Sequence, residues 1–66
     1  MYCSITVKGH LDAKWSEWFE GLAITNLESG RTILIGCLPD QAALHGVLTK
    51  VRDLGLALVE VRCEDR

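Results

Sequence analysis

Apolar and polar residues alternate along the start of this chain, with Cys3, Ile5 and Val7 on one face and hydrophilic residues between them. A period of two is typical of a half-buried strand. The same reasoning predicts four strands, over residues 2–8, 22–27, 31–38 and 56–63. Strand three is apolar on both of its faces, which favours a central position in a sheet that is covered on both sides.

Two helices are predicted between these strands. The first covers residues 13–20, with Asp12 as its N-cap. The second follows Asp40 and has the spacing of a helix with one buried face, at Leu44, Val47, Leu48, Val51 and Leu54. Each helix is followed by a Gly-Leu-Ala sequence, at residues 21–23 and 55–57. A glycine at this place ends a helix because it adopts a positive φ without a steric clash.

The resulting order, β-α-β-β-α-β, is that of the ferredoxin-like fold. Strands two and three are joined by residues 28–30, a tight hairpin turn with Gly30 at a position of positive φ. Right-handed crossovers then predict a four-stranded antiparallel sheet of order 4-1-3-2 with both helices on one face. We expect residues 1–66 to form a single ferredoxin-like domain of the α+β class.

A chain of 66 residues buries only about 60% of the surface that it exposes when unfolded, so its stability is marginal without help. The usual sources of help are disulfides, a metal ion or a partner subunit. The three cysteines cannot all pair within one chain, and their spacing matches no disulfide scaffold. Since neither a signal peptide nor a membrane-spanning run is recognisable, we expect a cytoplasmic protein with reduced thiols. A partner subunit in a homodimer is therefore the favoured source of stability.

The charges of the chain are dispersed. Its formal net charge is −2, and the basic residues do not cluster. Proteins that bind nucleic acids usually carry a basic patch, so we expect no nucleic-acid partner, and no long apolar segment indicates a membrane partner. No glycine-rich phosphate loop, nucleophile motif or metal-binding helix motif is present. We therefore expect a non-enzymatic protein without a cofactor.

The predicted strand order brings Cys3, Cys37 and Cys63 to one edge of the sheet. Three converging thiolates could hold a soft metal ion such as zinc or copper(I). The alternation along strands also allows Cys37 to lie on the opposite face from the other two cysteines. We therefore favour the interpretation of all three as small, half-buried apolar residues, and keep a thiolate metal site as the alternative.

The histidines and the aromatic residues of the first helix have structural interpretations. His10 lies in a predicted loop and His45 on the flank of the second helix, where we expect surface positions without a catalytic partner. Trp15 and Phe19 have the spacing of core residues, whereas Trp18 is expected at the rim of the core. A base-stacking surface for RNA would need aromatic residues on the sheet, where the sequence has a single tyrosine.

The residues at 38–48, Leu-Pro-Asp-Gln-Ala-Ala-Leu-His-Gly-Val-Leu, and at 51–56, Val-Arg-Asp-Leu-Gly-Leu, resemble a group of short uncharacterised bacterial proteins. Those proteins carry an Asp-Gln-Ala-Ala-Leu-His-Gly-x-Leu sequence that leads to Ile-Arg-Asp-Leu-Gly-Leu. The segment from Trp15 to Phe19 is similar as well, so the resemblance covers most of the chain. It implies a small stand-alone protein and assigns no activity and no functional residues.

The main hypothesis is a non-enzymatic module that self-associates or binds a partner protein through the open face of its sheet. The small core and the apolar strand three motivate it. The residues expected at this interface are Tyr2, Ile33, Ile35 and Leu58. The alternative is a small-molecule sensor or accessory domain whose ligand binds at a subunit interface. The sequence leaves open which residues of strand three point outward.

Overall fold

The computed structural model describes residues 1–64 of the chain. The elements are β1 Tyr2–Lys8, a 3₁₀ turn Ala13–Ser16, β2 Ala23–Asn26, β3 Arg31–Cys37, α1 Gln41–Asp53 and β4 Ala57–Glu64. The strands form one antiparallel sheet in the order β2-β3-β1-β4, which reads 4-1-3-2 from the opposite edge. The predicted α+β class, antiparallel sheet and strand order are therefore confirmed.

The prediction of a ferredoxin-like fold with two helices is wrong, because the described residues contain one α-helix. Where the first helix was expected, the 3₁₀ turn and further turns follow Asp12, whose carboxylate accepts a 3.0 Å hydrogen bond from the Lys14 N–H. The expected helix had eight residues. Isolated helices shorter than about 12–15 residues are marginal, and Trp, Ser and Phe are poor helix formers. The segment ends at Glu20, which has a φ of 59°.

Helix α1 begins and ends where the sequence predicts. Asp40 is its N-cap, and the Asp40 carboxylate accepts a 2.8 Å hydrogen bond from the Ala43 N–H. At the other end, the Leu56 N–H donates to the Val51 carbonyl at 3.1 Å, and Gly55 has a φ of 73°. This bond and the glycine together make the Schellman termination, in which a left-handed residue satisfies the last carbonyls of a helix.

Among residues 1–64 the hydrophobic core lies against one face of the sheet only, so the expectation from strand three that both faces are covered is not met within these residues. Alternate residues of β1 point into it, as predicted, and α1 contributes Val47 and Val51. Its buried residues are Cys3, Ile5, Val7, Leu11, Phe19, Leu22, Leu34, Leu38, Val47 and Val51. The strand residues in this group share one face of the sheet, since Leu34 pairs with Ile5 across β3 and β1.

Gly46 is an exposed glycine in the middle of α1, and a Cβ atom added there meets no other atom within 4 Å. Gly46→Ala should therefore raise the free energy of unfolding by about 1 kcal/mol, because glycine has the larger conformational freedom in the unfolded chain. Thermal unfolding followed by circular dichroism should show a rise of about 4–8 °C in melting temperature. The reverse change at an exposed α1 position, Ala42→Gly, is the control and should lower it. An unchanged or lowered melting temperature for Gly46→Ala would contradict the expectation.

Candidate functional site

The sheet face that points away from α1 is uncovered within residues 1–64, and we call it the open face. It carries Tyr2, Ser4 and Thr6 from β1 and Ile33 and Ile35 from β3, and all five are half-buried. An antiparallel sheet face in contact with water is normally polar. The two isoleucines at its centre depart from that pattern.

The strand register arranges the centre of the open face in two cross-strand rows. Each row has one isoleucine, flanked by small or hydroxyl-bearing residues, and ends in a charged residue of β4. The first row is Ala23, Ile35, Ser4 and Arg62. The second row is Thr25, Ile33, Thr6 and Glu60. The middle of the open face is thus uncharged, and its charges lie at the β4 edge.

Charged residues of both signs surround this uncharged centre. Glu60 and Arg62 form an exposed ion pair, with 3.4 Å between Oε1 and Nε. Lys8 and Arg31 are cross-strand neighbours at one end of the open face. Glu64 lies at the opposite end of the face, on β4. The open face therefore has a basic end, an acidic residue at the other end, and one residue of each sign beside its centre.

Leu58 does not lie on the open face, contrary to the prediction. The pairing of β1 with β4 shifts between Thr6 and Val7, where Val59 is the extra residue of a β-bulge. Leu58 consequently pairs with Val7 and points to the core side of the sheet, where it is 50% exposed. A single inserted residue reverses the side to which the residues beyond it point, and strict alternation cannot show that.

Two of the three cysteines are joined. Cys3 and Cys63 lie opposite each other on β1 and β4 and form a disulfide, with their Cα atoms 4.1 Å apart. Cys37 has a free, exposed thiol and pairs with Tyr2, so it belongs to the open face on the other side of the sheet. The thiolate metal cluster is therefore not assembled, and no group of three or more metal-ligating side chains occurs in the part of the chain that the structure describes. The expectation of reduced thiols is corrected by the same bond.

The two histidines occupy the surface positions that the sequence predicts. The Nε2 of His10 lies 2.8 Å from the Leu27 carbonyl oxygen and must donate to it, because a carbonyl only accepts. His45 is on the exposed side of α1, where its carbonyl accepts a 2.9 Å hydrogen bond from the Thr49 hydroxyl. In the hydrogen bonds described, the imidazole ring of His10 binds a backbone carbonyl, and His45 takes part through its backbone carbonyl. Neither arrangement is that of a catalytic histidine.

Lys50 of α1 binds the segment of turns between β1 and β2. Lys50 Nζ donates to the Trp18 carbonyl at 2.8 Å, lies 3.3 Å from Glu20 Oε1, and sits 5.2 Å from the centre of the Trp18 ring. Trp15 meets Trp18 edge to face, with 6.0 Å between ring centres. As predicted, Phe19 is fully buried, Trp15 packs on the core and Trp18 is at the rim, 45% exposed. These contacts hold a segment that contains a short 3₁₀ turn and no α-helix.

A polar network that the sequence analysis missed holds the loop after β1. The Asn26 side chain accepts from the Leu11 N–H at 2.9 Å and donates to the Leu11 carbonyl at 2.8 Å. The fully buried Thr32 hydroxyl lies 2.6 Å from Asn26 Oδ1 and 2.5 Å from the Gly9 carbonyl, and donates its proton to one of them. A threonine on the core side of an aliphatic strand was the available signal, since a buried hydroxyl needs a partner.

Fold and surface together define a small α+β domain whose four-stranded sheet is covered on one face and open on the other. The family model for a domain of unknown function, DUF8691, matches residues 2–62. The chain therefore belongs to the DUF8691 family, which is consistent with its resemblance to uncharacterised proteins. No curated protein and no solved structure matches it. No helix among residues 1–64 has the length and hydropathy needed to cross a bilayer.

Proposed function

We propose that this chain is a non-enzymatic module that self-associates through the open face of its sheet. The carrying observation is the pair Ile33 and Ile35, adjacent on the open face and without a covering element among the described residues. Their neighbours Ala23, Thr25 and Thr6 are uncharged. Protein–protein interfaces have the same arrangement, with few charged residues at the centre and charged residues at the rim.

The size of the open face supports this proposal. The four strands have four to eight residues each, and at about 3.4 Å per residue and about 4.8 Å between strands the face has a projected area of roughly 420 Å². A corrugated surface has more accessible area than its projection, so a second sheet laid on it would bury about 600 Å² per partner. That value is at the lower end of the range for stable interfaces, about 1,200–2,000 Å² in total.

The edges of the sheet are less suited to association than its face. β2 is one edge and has only four residues, Ala23–Asn26. β4 is the other edge and is interrupted by the bulge at Val59. Short edge strands, bulges and charged side chains oppose the pairing of one edge with another. Face-to-face packing of two sheets, about 10 Å apart, is therefore the favoured geometry.

Ile33→Lys and Ile35→Lys, made separately, should convert a dimer to a monomer at micromolar concentration. Each places a charge at the centre of the buried face, and the dissociation constant should rise by at least about 30-fold, which corresponds to the loss of a ~2 kcal/mol contact. Native mass spectrometry and sedimentation velocity measure the change. Ala42→Lys, on the exposed side of α1, adds the same charge away from the face and should leave the dimer intact. Unchanged masses for both isoleucine variants would refute the proposal.

The alternative function is a small-molecule sensor with a ligand site at the subunit interface. A depression of about 300 Å³ on the open face, lined by Tyr2, Ser4, Arg62 and Glu64, favours this candidate, because a second copy would close it. Its volume is at the lower limit of ligand pockets. Native mass spectra of the purified protein separate the two functions, since a bound ligand adds a defined mass to the dimer and self-association alone does not.

The cytoplasmic location expected from the sequence went together with reduced thiols, and the Cys3–Cys63 disulfide contradicts that part of the expectation. Stable disulfides are typical of oxidising compartments. Alkylation of free thiols in intact cells, followed by mass measurement of the chain, distinguishes the compartments. One alkylated cysteine indicates the disulfide, and three indicate the reduced form of a cytoplasmic protein.

A further inference from the structure

The partner of the open face can be named from its charge pattern, provided that the proposed self-association holds. A dimer of identical chains has a two-fold axis, so each surface group must be compatible with the group that the axis brings against it. When two copies of the open face pack together, the axis lies in the plane between the two sheets. We compare an axis that runs along the strands with one that runs across them. These two arrangements bring different residues into contact.

An axis along the strands, between β1 and β3, brings β1 of one copy over β3 of the other. Ile33 and Ile35 then face the hydroxyl side chains of Thr6 and Ser4, which are their own cross-strand neighbours in the register. Lys8 faces Arg31 of the second copy, so like charges meet at both sides of the axis. Such contacts between like charges are destabilising. This arrangement also leaves the charges of β4 over the uncharged β2.

An axis across the strands, between the two central rows, lays each row on the other row of the second copy. Ile35 then faces Ile33 of the second copy, and Ser4 faces Thr6. Arg62 faces Glu60 of the second copy, and the same pair recurs by symmetry, giving two ion pairs between the chains. The basic end of one copy, with Lys8, lies over the opposite end of the open face of the second copy. The two basic ends therefore do not face each other.

We infer that the open face binds a second copy of this chain about a two-fold axis that runs across the strands, with Glu60 and Arg62 as reciprocal charge partners. Of the two arrangements, this one brings isoleucines against isoleucines and opposite charges against each other. The exposed Glu60–Arg62 pair within one chain becomes part of a network of four alternating charges. The pair thus selects the partner and its orientation, a role that charges at an interface rim commonly have.

Charge reversal tests the inference. Glu60→Arg gives a chain with two arginines in this pair, and Arg62→Glu gives a chain with two glutamates. Each variant alone should dimerise about tenfold more weakly than the original chain, because like charges then meet twice across the axis. When the two variants are mixed, the heterodimer should form in preference to both homodimers. Native mass spectrometry resolves the three species by mass. The double variant E60R/R62E, which exchanges the charges, should dimerise as the original chain does.

The outcomes separate this inference from the proposed function. If both single variants dimerise as strongly as the original chain, and their mixture is statistical, the crosswise axis is wrong while the open face can still be the interface. If the original chain is a monomer, or Ile33→Lys leaves its dimer unchanged, the proposed function itself fails. An excess of heterodimer that persists at 50 mM salt and falls at 500 mM salt supports the ion pairs directly, because exposed charges are screened by salt.

Discussion

Cys63→Ser is expected to lower the free energy of unfolding by about 4 kcal/mol and the melting temperature by roughly 15–30 °C. The Cys3–Cys63 bond joins residues 60 positions apart, so it closes almost the whole chain into one loop. A cross-link of that span removes much of the conformational freedom of the unfolded chain. A domain of this size has a total stability of about 3–10 kcal/mol, so the loss is a large fraction of it. Urea and thermal unfolding measure the change.

Two controls isolate the bond from the change of side chain. Cys37→Ser replaces an exposed free cysteine, and its effect should be within about 0.5 kcal/mol. The original chain in the presence of dithiothreitol should unfold at the temperature of Cys63→Ser, because both lack the bond. Cys3→Ser is a less informative variant, since Cys3 is fully buried and its replacement also places a hydroxyl in the core. Equal melting temperatures for Cys63→Ser and the oxidised original chain would overturn the expectation.

The disulfide could be predicted from the sequence only in part. The strand order predicted that Cys3 and Cys63 would lie at the same edge of the sheet. Whether they face each other depends on the register of β1 and β4, and that register is changed by the bulge at Val59. A bulge has no signature in the alternation of apolar residues, because it is itself a departure from that alternation. The sequence therefore predicted proximity but could not predict pairing.

The elements with strong local signals were predictable, and the first crossover was not. Helix α1 has an N-cap aspartate, an apolar stripe and a glycine stop, which all indicate the same helix, and its bounds were predicted closely. The segment from residue 13 to 20 has a cap and an apolar spacing, but four of its eight residues are Trp, Ser or Phe, which have lower helix propensity. Its conformation is decided by tertiary contacts, namely the burial of Phe19 and the contacts of Lys50 with Trp18 and Glu20.

The candidate site shows the same division. Ile33 and Ile35 share the open face with Tyr2 because β1 and β3 pair without interruption, whereas the sequence had left open which residues of strand three point outward. Leu58 was assigned to that face wrongly, because the bulge lies between it and the rest of β4. The contact proposed between Glu60 and Arg62 of two copies follows only when the rows across the sheet are known. Such rows depend on the register of three strand pairs, which one sequence does not specify.

The loop after β1 depends on a network of side-chain hydrogen bonds in addition to the core. One asparagine, Asn26, satisfies both backbone groups of Leu11 and lies against the buried Thr32 hydroxyl. Leu11 itself is buried, so water has limited access to the groups that Asn26 binds. These hydrogen bonds are part-buried, so the Leu11 backbone groups would regain only part of their solvation from water if Asn26 were removed. The network therefore joins the loop, β2 and β3 into one cooperative unit.

Asn26→Ala should consequently lower the free energy of unfolding by about 2 kcal/mol, roughly 1 kcal/mol for each of its two hydrogen bonds with the Leu11 backbone. Asn26→Asp, which keeps the acceptor for the Leu11 N–H and loses the donor to its carbonyl, should fall between this variant and the original chain. Urea unfolding gives the free energies, with Ser29→Ala in the neighbouring turn as the control, and hydrogen exchange reports the Leu11 amide. A loss below 1 kcal/mol with the Leu11 amide still protected would contradict the role of Asn26, whereas a large loss with selective exposure of Leu11 would establish that this side chain holds the crossover in place of the absent helix.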